Sequence, residues 1–221
     1  MQNTKKKRFV IIAVTACLMI SAAAAGISLA TLTADTEKRA NVFTFGNVDI
    51  DLEEPNWDDQ NNIVYPGKAI AKDPVVRNTG RNDLYAYIEV KVPKRSVRTV
   101  ENTDGRDVIR DAALQELFSY NVSDKWTEIS REPDKEIDGE VYDVYLYAYN
   151  EVLTSGGVTD PPLFNEVKYI NMLEGEIEMD TVIEMPITAY AIQSDYLGES
   201  GEDLKQKMTD AFNKYKSQID G

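Results

Sequence analysis

Few residue types in this 221-residue chain could carry chemistry. It contains no histidine and a single cysteine, Cys17. Histidine-based zinc sites, Ser-His-Asp triads and Cys-His dyads are therefore excluded. Carboxylates, Lys, Ser/Thr and Tyr remain. The densest acidic group is Asp49, Asp51, Glu53, Glu54, Asp58 and Asp59. Oxygen donors at this density suit a hard cation such as Ca²⁺ or Mg²⁺. Asp49, Asp51, Glu53, Asp58 and Asp59 are thus the candidate metal ligands. The segment lacks the Asp-x-Asp-x-Asp-Gly loop and distal Glu of an EF-hand, and a solvated acidic loop is the plainer reading. No other cofactor is expected, and no catalytic set of residues stands out. Lys94, Arg95 and Arg98 form the one basic knot beyond the N-terminal region, read as an ordinary solvated surface.

The N-terminus has the layout of a secretory signal. Lys5–Arg8 form a positive patch, Phe9–Ile20 an apolar run, and Ser21–Ala30 a stretch rich in small residues. Ser28-Leu29-Ala30 is the best small-x-small site, so cleavage between Ala30 and Thr31 is expected; Ala23-Ala24-Ala25 is a second candidate. Phe9–Ala30 is also long enough to cross a bilayer, which makes an uncleaved anchor the rival reading. Val14-Thr15-Ala16-Cys17 resembles a lipoprotein box, but apolar residues flank Cys17 on both sides. Residues 1–30 hold four basic and no acidic side chains, so their removal takes the net charge from −14 to −18. This charge opposes binding to nucleic acid, and without Cys17 no disulfide braces the product.

Beyond the leader, alternation with period two dominates. Val42–Leu52 alternates with an irregularity at Gly46-Asn47, which suggests a half-buried strand with a bulge. Tyr65–Lys68 and Asn78–Asn82 read as turns around a strand through Ala69–Val76. Leu84–Val92 is a clear strand, with Ala86, Ile88, Val90 and Val92 on one face and Tyr85, Tyr87, Glu89 and Lys91 on the other. Pro93 is expected to stop it. Asp107–Tyr120 has helical spacing, Val122–Ile129 suits a strand, and Arg131–Gly139 a charged turn. Much of 93–140 therefore reads as an insertion between core strands. Val141–Tyr149 and Thr181–Gln193 are further strands, Pro186 marking an edge or bulge. Leu163–Leu173 fits a short helix or a strand. Ser200 is the expected cap of a C-terminal helix carrying the stripe Leu204, Met208, Ala211, Phe212 and Tyr215. The pattern predicts a mainly β protein: one antiparallel β-sandwich domain over 31–221, with one or two accessory helices.

Three segments together resemble a known family. They are Asn41–Ile50 behind the export region; Tyr65-Pro66-Gly67 with Lys72–Gly80 and the following strand; and Ile187–Gln193. Their order and spacing are similar to the TasA/camelysin family, exported proteins of Gram-positive bacteria processed by a SipW-type signal peptidase. The resemblance does not extend over 93–140. It implies a jelly-roll-like sandwich, an extracellular or cell-surface location, and self-association into biofilm matrix fibres, with accessory matrix proteins as further partners. It also implies that an N-terminal segment adds as a strand to the next subunit. Here that donor is 31–45, with Thr31, Leu32, Thr33, Val42, Phe43 and Phe45 as its residues. The alternatives are a camelysin-like surface metallopeptidase, for which the chain has no histidine ligand, and a non-fibrous Ca²⁺-binding surface module.

Overall fold

The computed structural model describes residues 48–57, 67–178, 181–194 and 203–219. In chain order the strands are β1 (Ile50–Glu53), β2 (Ala69–Ala71), β3 (Val75–Asn78), β4 (Leu84–Val97), β5 (Val100–Thr103), β6 (Arg106–Ile109), β7 (Ala113–Glu116), β8 (Phe118–Tyr120), β9 (Trp126–Ile137), β10 (Glu140–Tyr149), β11 (Glu166–Tyr169) and β12 (Ile187–Gln193); one helix, α1 (Leu204–Ile219), follows. All described pairings are antiparallel. The architecture is the expected mainly β sandwich.

The main sheet runs β12-β4-β10-β9, and β7 pairs with the far end of β4. Both apolar layers start from the alternation of β4. Ala86, Ile88, Val90 and Val92 point into the inner core, where they meet Ile50, Ile70, Val76, Phe118, Val167 and Tyr169 from the opposing layer. That layer consists of β1-β3 and β2-β11-β8. Tyr85 and Tyr87 point the other way, joined by Leu146, Ala148 and Ile192. They form an apolar outer face, which α1 covers with Met208, Ala211, Phe212 and Tyr215; Leu204 packs at its margin. These helical residues are the stripe read from sequence. The helix starts at Leu204 rather than near Gly201, with the Asp203 carbonyl accepting the first intrahelical bond from Lys207 (3.0 Å). Ser200 lies outside the described residues. Tyr87, fully buried, donates its hydroxyl proton to the Met208 carbonyl (3.1 Å), and Lys216 in the last turn reaches Glu132 on β9 (3.0 Å).

Several expectations are corrected. Pro93 does not end its strand. Lys91 N–H bonds to the Pro186 carbonyl and the Pro93 carbonyl accepts from Leu117, both at 2.9 Å. The main-chain groups of 91 and 93 therefore face the edge shared by β12 and β7. The pairing of β12 ends at Val90 and that of β7 begins at Lys94, so the N–H that Pro93 lacks falls in the gap between them. Asp107–Tyr120 is not a helix but β6, β7 and β8. Val108 is only half-buried and Leu114 is 46% exposed while Leu117 and Phe118 are buried, so the expected stripe forms no common buried face, whereas pairing with β4 satisfies the backbone of β7. Arg131–Gly139 is not a turn but most of β9, and the turn is only Asp138-Gly139.

That turn and Asp104-Gly105 are two-residue hairpin loops in which both residues have positive φ (53° and 83°; 53° and 78°). This is the type I′ geometry, whose twist matches paired strands. Residues 93–140, expected as an insertion, supply β7 and β9 to the main sheet and β8 to the opposing one; the β5–β6 hairpin remains a separate two-stranded arm. The single strand expected over Ala69–Val76 is two, β2 and β3, which belong to different sheets. The chain passes from one sheet of that layer to the other at Lys72–Pro74, where buried Asp73 accepts from the Asn56 amide (2.9 Å) and side chain (2.7 Å). Leu163–Leu173 contains β11, and Thr181–Gln193 pairs only from Ile187 onward, consistent with Pro186 at a strand boundary. Asn78 anchors the corner after β3: fully buried, it donates to the carbonyls of Asn82 and Leu153 and accepts from Gly80 N–H.

Because Phe212 is buried between Tyr87 and Tyr190, Phe212→Ala is expected to cost about 3 kcal/mol. Urea denaturation followed by tryptophan fluorescence measures this, and a loss well under 1 kcal/mol would show that α1 is not integral to the fold.

Candidate functional site

The most connected polar group in the described structure lies where the inner apolar series of β4 gives way to Lys94. Main-sheet pairing assembles it. Lys94 sits opposite Val141 on β10 and Glu116 on β7. Arg131 on β9 sits opposite Tyr145 on β10. Between the pairs Tyr142/Lys135 and Val144/Glu132 the register shifts, so Asp143 faces an extra residue on β9. This bulge turns the Asp134 amide toward Asp143 Oδ1 (3.0 Å). Asp143 also accepts from Arg131 (2.6 Å) and Lys94 (3.0 Å). Lys94 donates in addition to Asp134 (2.5 Å).

A tyrosine group continues this network into the core. Tyr145 donates to Glu116 (2.5 Å), lies under the Arg131 guanidinium (4.8 Å), and stacks on Tyr147 with centroids 6.1 Å apart. The hydroxyls of Tyr147 and Tyr120 are 3.0 Å apart. Tyr120 belongs to β8, so this bond ties the two layers together. Tyr120 also packs on Phe164 at 4.4 Å.

The electrostatics follow from burial and partners. Burial opposes ionisation of Asp143, but its bonds to Arg131, the Asp134 amide and Lys94 outweigh it and hold this carboxyl well below the ordinary range. Glu116 goes the other way: burial raises it, the Tyr145 hydroxyl offsets part of that, and the nearby Asp143 raises it further. Hydrogen bonding to Asp134 keeps Lys94 protonated more firmly than usual, against the effect of burial. Burial pushes the Tyr147 hydroxyl up to about 12, and those of Tyr120 and Tyr145 higher still. A protonated lysine has no lone pair to attack with, and a neutral phenol is a poor base. The arrangement can lock charge and geometry, and its lysine and phenols are neither activated nucleophiles nor poised bases.

The other sequence-marked residues are dispersed. Ala30, Thr31, Leu32, Thr33, Val42, Phe43, Phe45, Asp58 and Asp59 lie outside the described residues. Asp49 and Asp51 are exposed, and Glu53 is drawn into a two-point pair with Arg77 (2.7 and 3.1 Å). Glu54 pairs with Lys72 (2.7 Å), whose ammonium also sits over the Trp57 ring (4.5 Å). Among the described residues no group of three or more acidic, His or Cys side chains is arranged to hold a metal. The basic knot is likewise divided: Lys94 goes to Asp134 and Asp143, Arg95 to Glu140, and Arg98 to Glu176. A shallow polar hollow of ≈ 200 Å³ lies over Ser119, Tyr120, Asn121, Glu166 and Lys168.

The Asp143 network was not foreseen from sequence. Part of its signal was available in Asp138-Gly139, which dictates a β9–β10 hairpin; the turn alone would set Arg131 opposite Leu146, and the bulge moves it to Tyr145. Among the described residues no helix is long and apolar enough to cross a membrane; Phe9–Ala30 lies outside them. Compared with models of known protein families, with characterised proteins and with solved structures, the chain matches none.

Two predictions test the network. Asp143→Asn leaves Lys94 without its buried counter-charge and is expected to cost about 3 kcal/mol, the half-exposed Arg131 contributing little of it; a urea melt measures this. Glu116 has a folded pKa above its unfolded one, so its contribution is fully present below the ordinary carboxylate value and is lost as pH rises through the folded value. Relative to Glu116→Gln, the wild type is therefore expected to lose stability as pH rises from the ordinary carboxylate range upward. A wild-type-to-variant gap in Tm that stays constant across this range would refute the assignment.

Proposed function

We propose that this chain is an exported, non-catalytic structural protein of the extracellular matrix that assembles into fibres by strand addition. In this reading a SipW-type signal peptidase cleaves between Ala30 and Thr31. The freed segment, Thr31 to Phe45, then pairs with a sheet edge of the next subunit. Head-to-tail contacts of this kind propagate into filaments.

The observation that carries the reading is the burial of Val48 and Ile50, the residues that follow the proposed donor segment in sequence. The alternation of Val42–Phe45 leads directly into Val48 and Ile50, whose side chains are buried in the inner core. Val48 and Ile50 anchor their end of the chain in the core, and in an extended conformation Phe43 and Phe45, two residues apart, would share one face. The antiparallel sandwich supports the same reading, because its outermost strands end in main-chain groups able to pair. The protonated Lys94 and neutral tyrosines fit a protein whose polar network serves rigidity rather than turnover. The −18 charge left once the leader is removed favours solubility before assembly and disfavours nucleic acid.

Protein beginning at Thr31 is expected to form concentration-dependent filaments visible by electron microscopy. Protein lacking residues 31–47 is expected to keep its β circular dichroism and remain monomeric. If the two behave alike, whether both assemble or neither does, strand donation by the N-terminal segment is wrong.

A further inference from the structure

We propose that Tyr145 is the site at which this protein holds a one-electron oxidation, with Glu116 taking the phenolic proton and the aromatic side chains behind Tyr145 feeding it. Tyr145, Tyr147 and Tyr149 occupy alternate positions of β10 and share its inner face. Trp126 on β9 lies opposite Tyr149 in register, with ring centroids 5.2 Å apart. Tyr147 follows at one strand repeat, about 7 Å along β10. It stacks on Tyr145, 6.1 Å away with the planes 11° apart. Tyr120 crosses from β8 and stands edge-on to both, at 6.3 and 6.4 Å. The result is an aromatic ladder from buried Trp126 to half-buried Tyr145. Packing accounts for the ring contacts; it does not dictate where the hydroxyls point.

The hydrogen-bond partners set one end of the ladder apart. Tyr149 donates to the Asp160 carbonyl (2.9 Å), its contact with Glu151 being longer (3.5 Å). Tyr147 and Tyr120 bond to each other (3.0 Å). Trp126 donates to the Pro161 carbonyl (3.1 Å). A carbonyl or a second phenol is too weak a base to keep a proton. Tyr145 alone in the ladder donates to a carboxylate at short range, Glu116 at 2.5 Å. Glu116 is faced by Asp143 and Tyr145 on β10, Arg131 on β9 (3.7 Å), Lys94 opposite it on β4, and Tyr120 on β8. Burial and the Asp143 charge raise its pKa, which makes its ionised form a stronger base than an ordinary carboxylate.

The step balances with a diffusible one-electron radical oxidant. The oxidant takes one electron from the Tyr145 ring and is reduced to its anion. The Tyr145 O–H bond breaks, and the proton bonds to a Glu116 oxygen. A neutral phenoxyl radical and a neutral carboxyl remain, hydrogen-bonded to each other. The Arg131 guanidinium over the ring (4.8 Å) opposes a positively charged ring, so the electron leaves only as the proton does. When Trp126 is oxidised first, its radical cation regains an electron through the ladder and keeps its N–H proton on the Pro161 carbonyl. The tyrosines thus carry the oxidation from the core to the half-exposed end of the ladder.

Azide radicals generated by pulse radiolysis test this on the purified protein in mildly alkaline buffer, where Glu116 is ionised. Each azide radical takes one electron and becomes azide. A nitroso spin trap marks the resulting protein radicals, and residue-resolved mass spectrometry locates the adducts. In the folded protein they are expected to concentrate on Tyr145; in urea they should spread over the tyrosines. A folded-state map that matches the urea map, or that centres on Tyr142 or Tyr190, would overturn the proposal. Glu116→Gln keeps the shape of the acceptor and removes its basicity, so adducts at Tyr145 are expected to be largely lost. Their persistence in this variant would rule out Glu116 as the proton acceptor. Tyr145→Phe is expected to prolong the optical signal of the indole radical, and an unchanged lifetime would break the ladder. If either variant fails to fold, the adduct map of the wild type decides alone.

Discussion

Strict alternation along one strand holds the protein together. β4 is central to the main sheet, paired to β10 on one edge and to β12 and β7 on the other. Its two faces seed separate apolar layers, so it is covered on both sides. A one-residue slip would exchange Ala86, Ile88 and Val90 with Tyr85, Tyr87 and Glu89. Large aromatic rings would then enter the sandwich interior and small aliphatics would face the helix. The register of β4 thus conditions the placement of Lys94 beside Asp143 as much as the docking of α1.

This dependence explains why some of the architecture was legible in the sequence. The faces of β4 and the stripe on α1 are local periodicities, and both were read correctly. The long strand at Val141–Tyr149 was equally plain. What failed was local reading where a distant partner decided. Asp107–Tyr120 has helical spacing, but β4 extends past Pro93 and offers an edge to pair with. Pro93 itself looks like a terminator until the gap between β12 and β7 is known. The Asp-Gly turns were a local signal that the composition of the charged stretch concealed.

The polar cluster was hidden for a different reason. Lys94, Glu116, Arg131 and Asp143 come from four strands, and no spacing in the chain links them. Their assembly needs the sheet order, and the short reach of the Asp134 amide needs the bulge as well. The acidic segment shows the converse. Asp49, Asp51 and Glu53 share the outward face of one extended stretch, yet Asp49 and Asp51 stay exposed to solvent and pairing with β3 hands Glu53 to Arg77. Density along a chain does not ensure convergence in space. The proposed donor segment, Thr31 to Phe45, rests on the alternation that begins at Val42 and on a family resemblance.

The internal consumption of Lys94, Arg95 and Arg98 by Asp143, Glu140 and Glu176 has a colloidal consequence. The one basic knot beyond residues 1–30 is spent within the molecule, so among the described residues it does little to offset the acidic excess. Two such particles repel at distances beyond contact, over a Debye length of about 8 Å in physiological saline and about 30 Å at a hundredth molar. Dilute buffer keeps them apart, and electrolyte lets them approach closely enough for short-range forces to act.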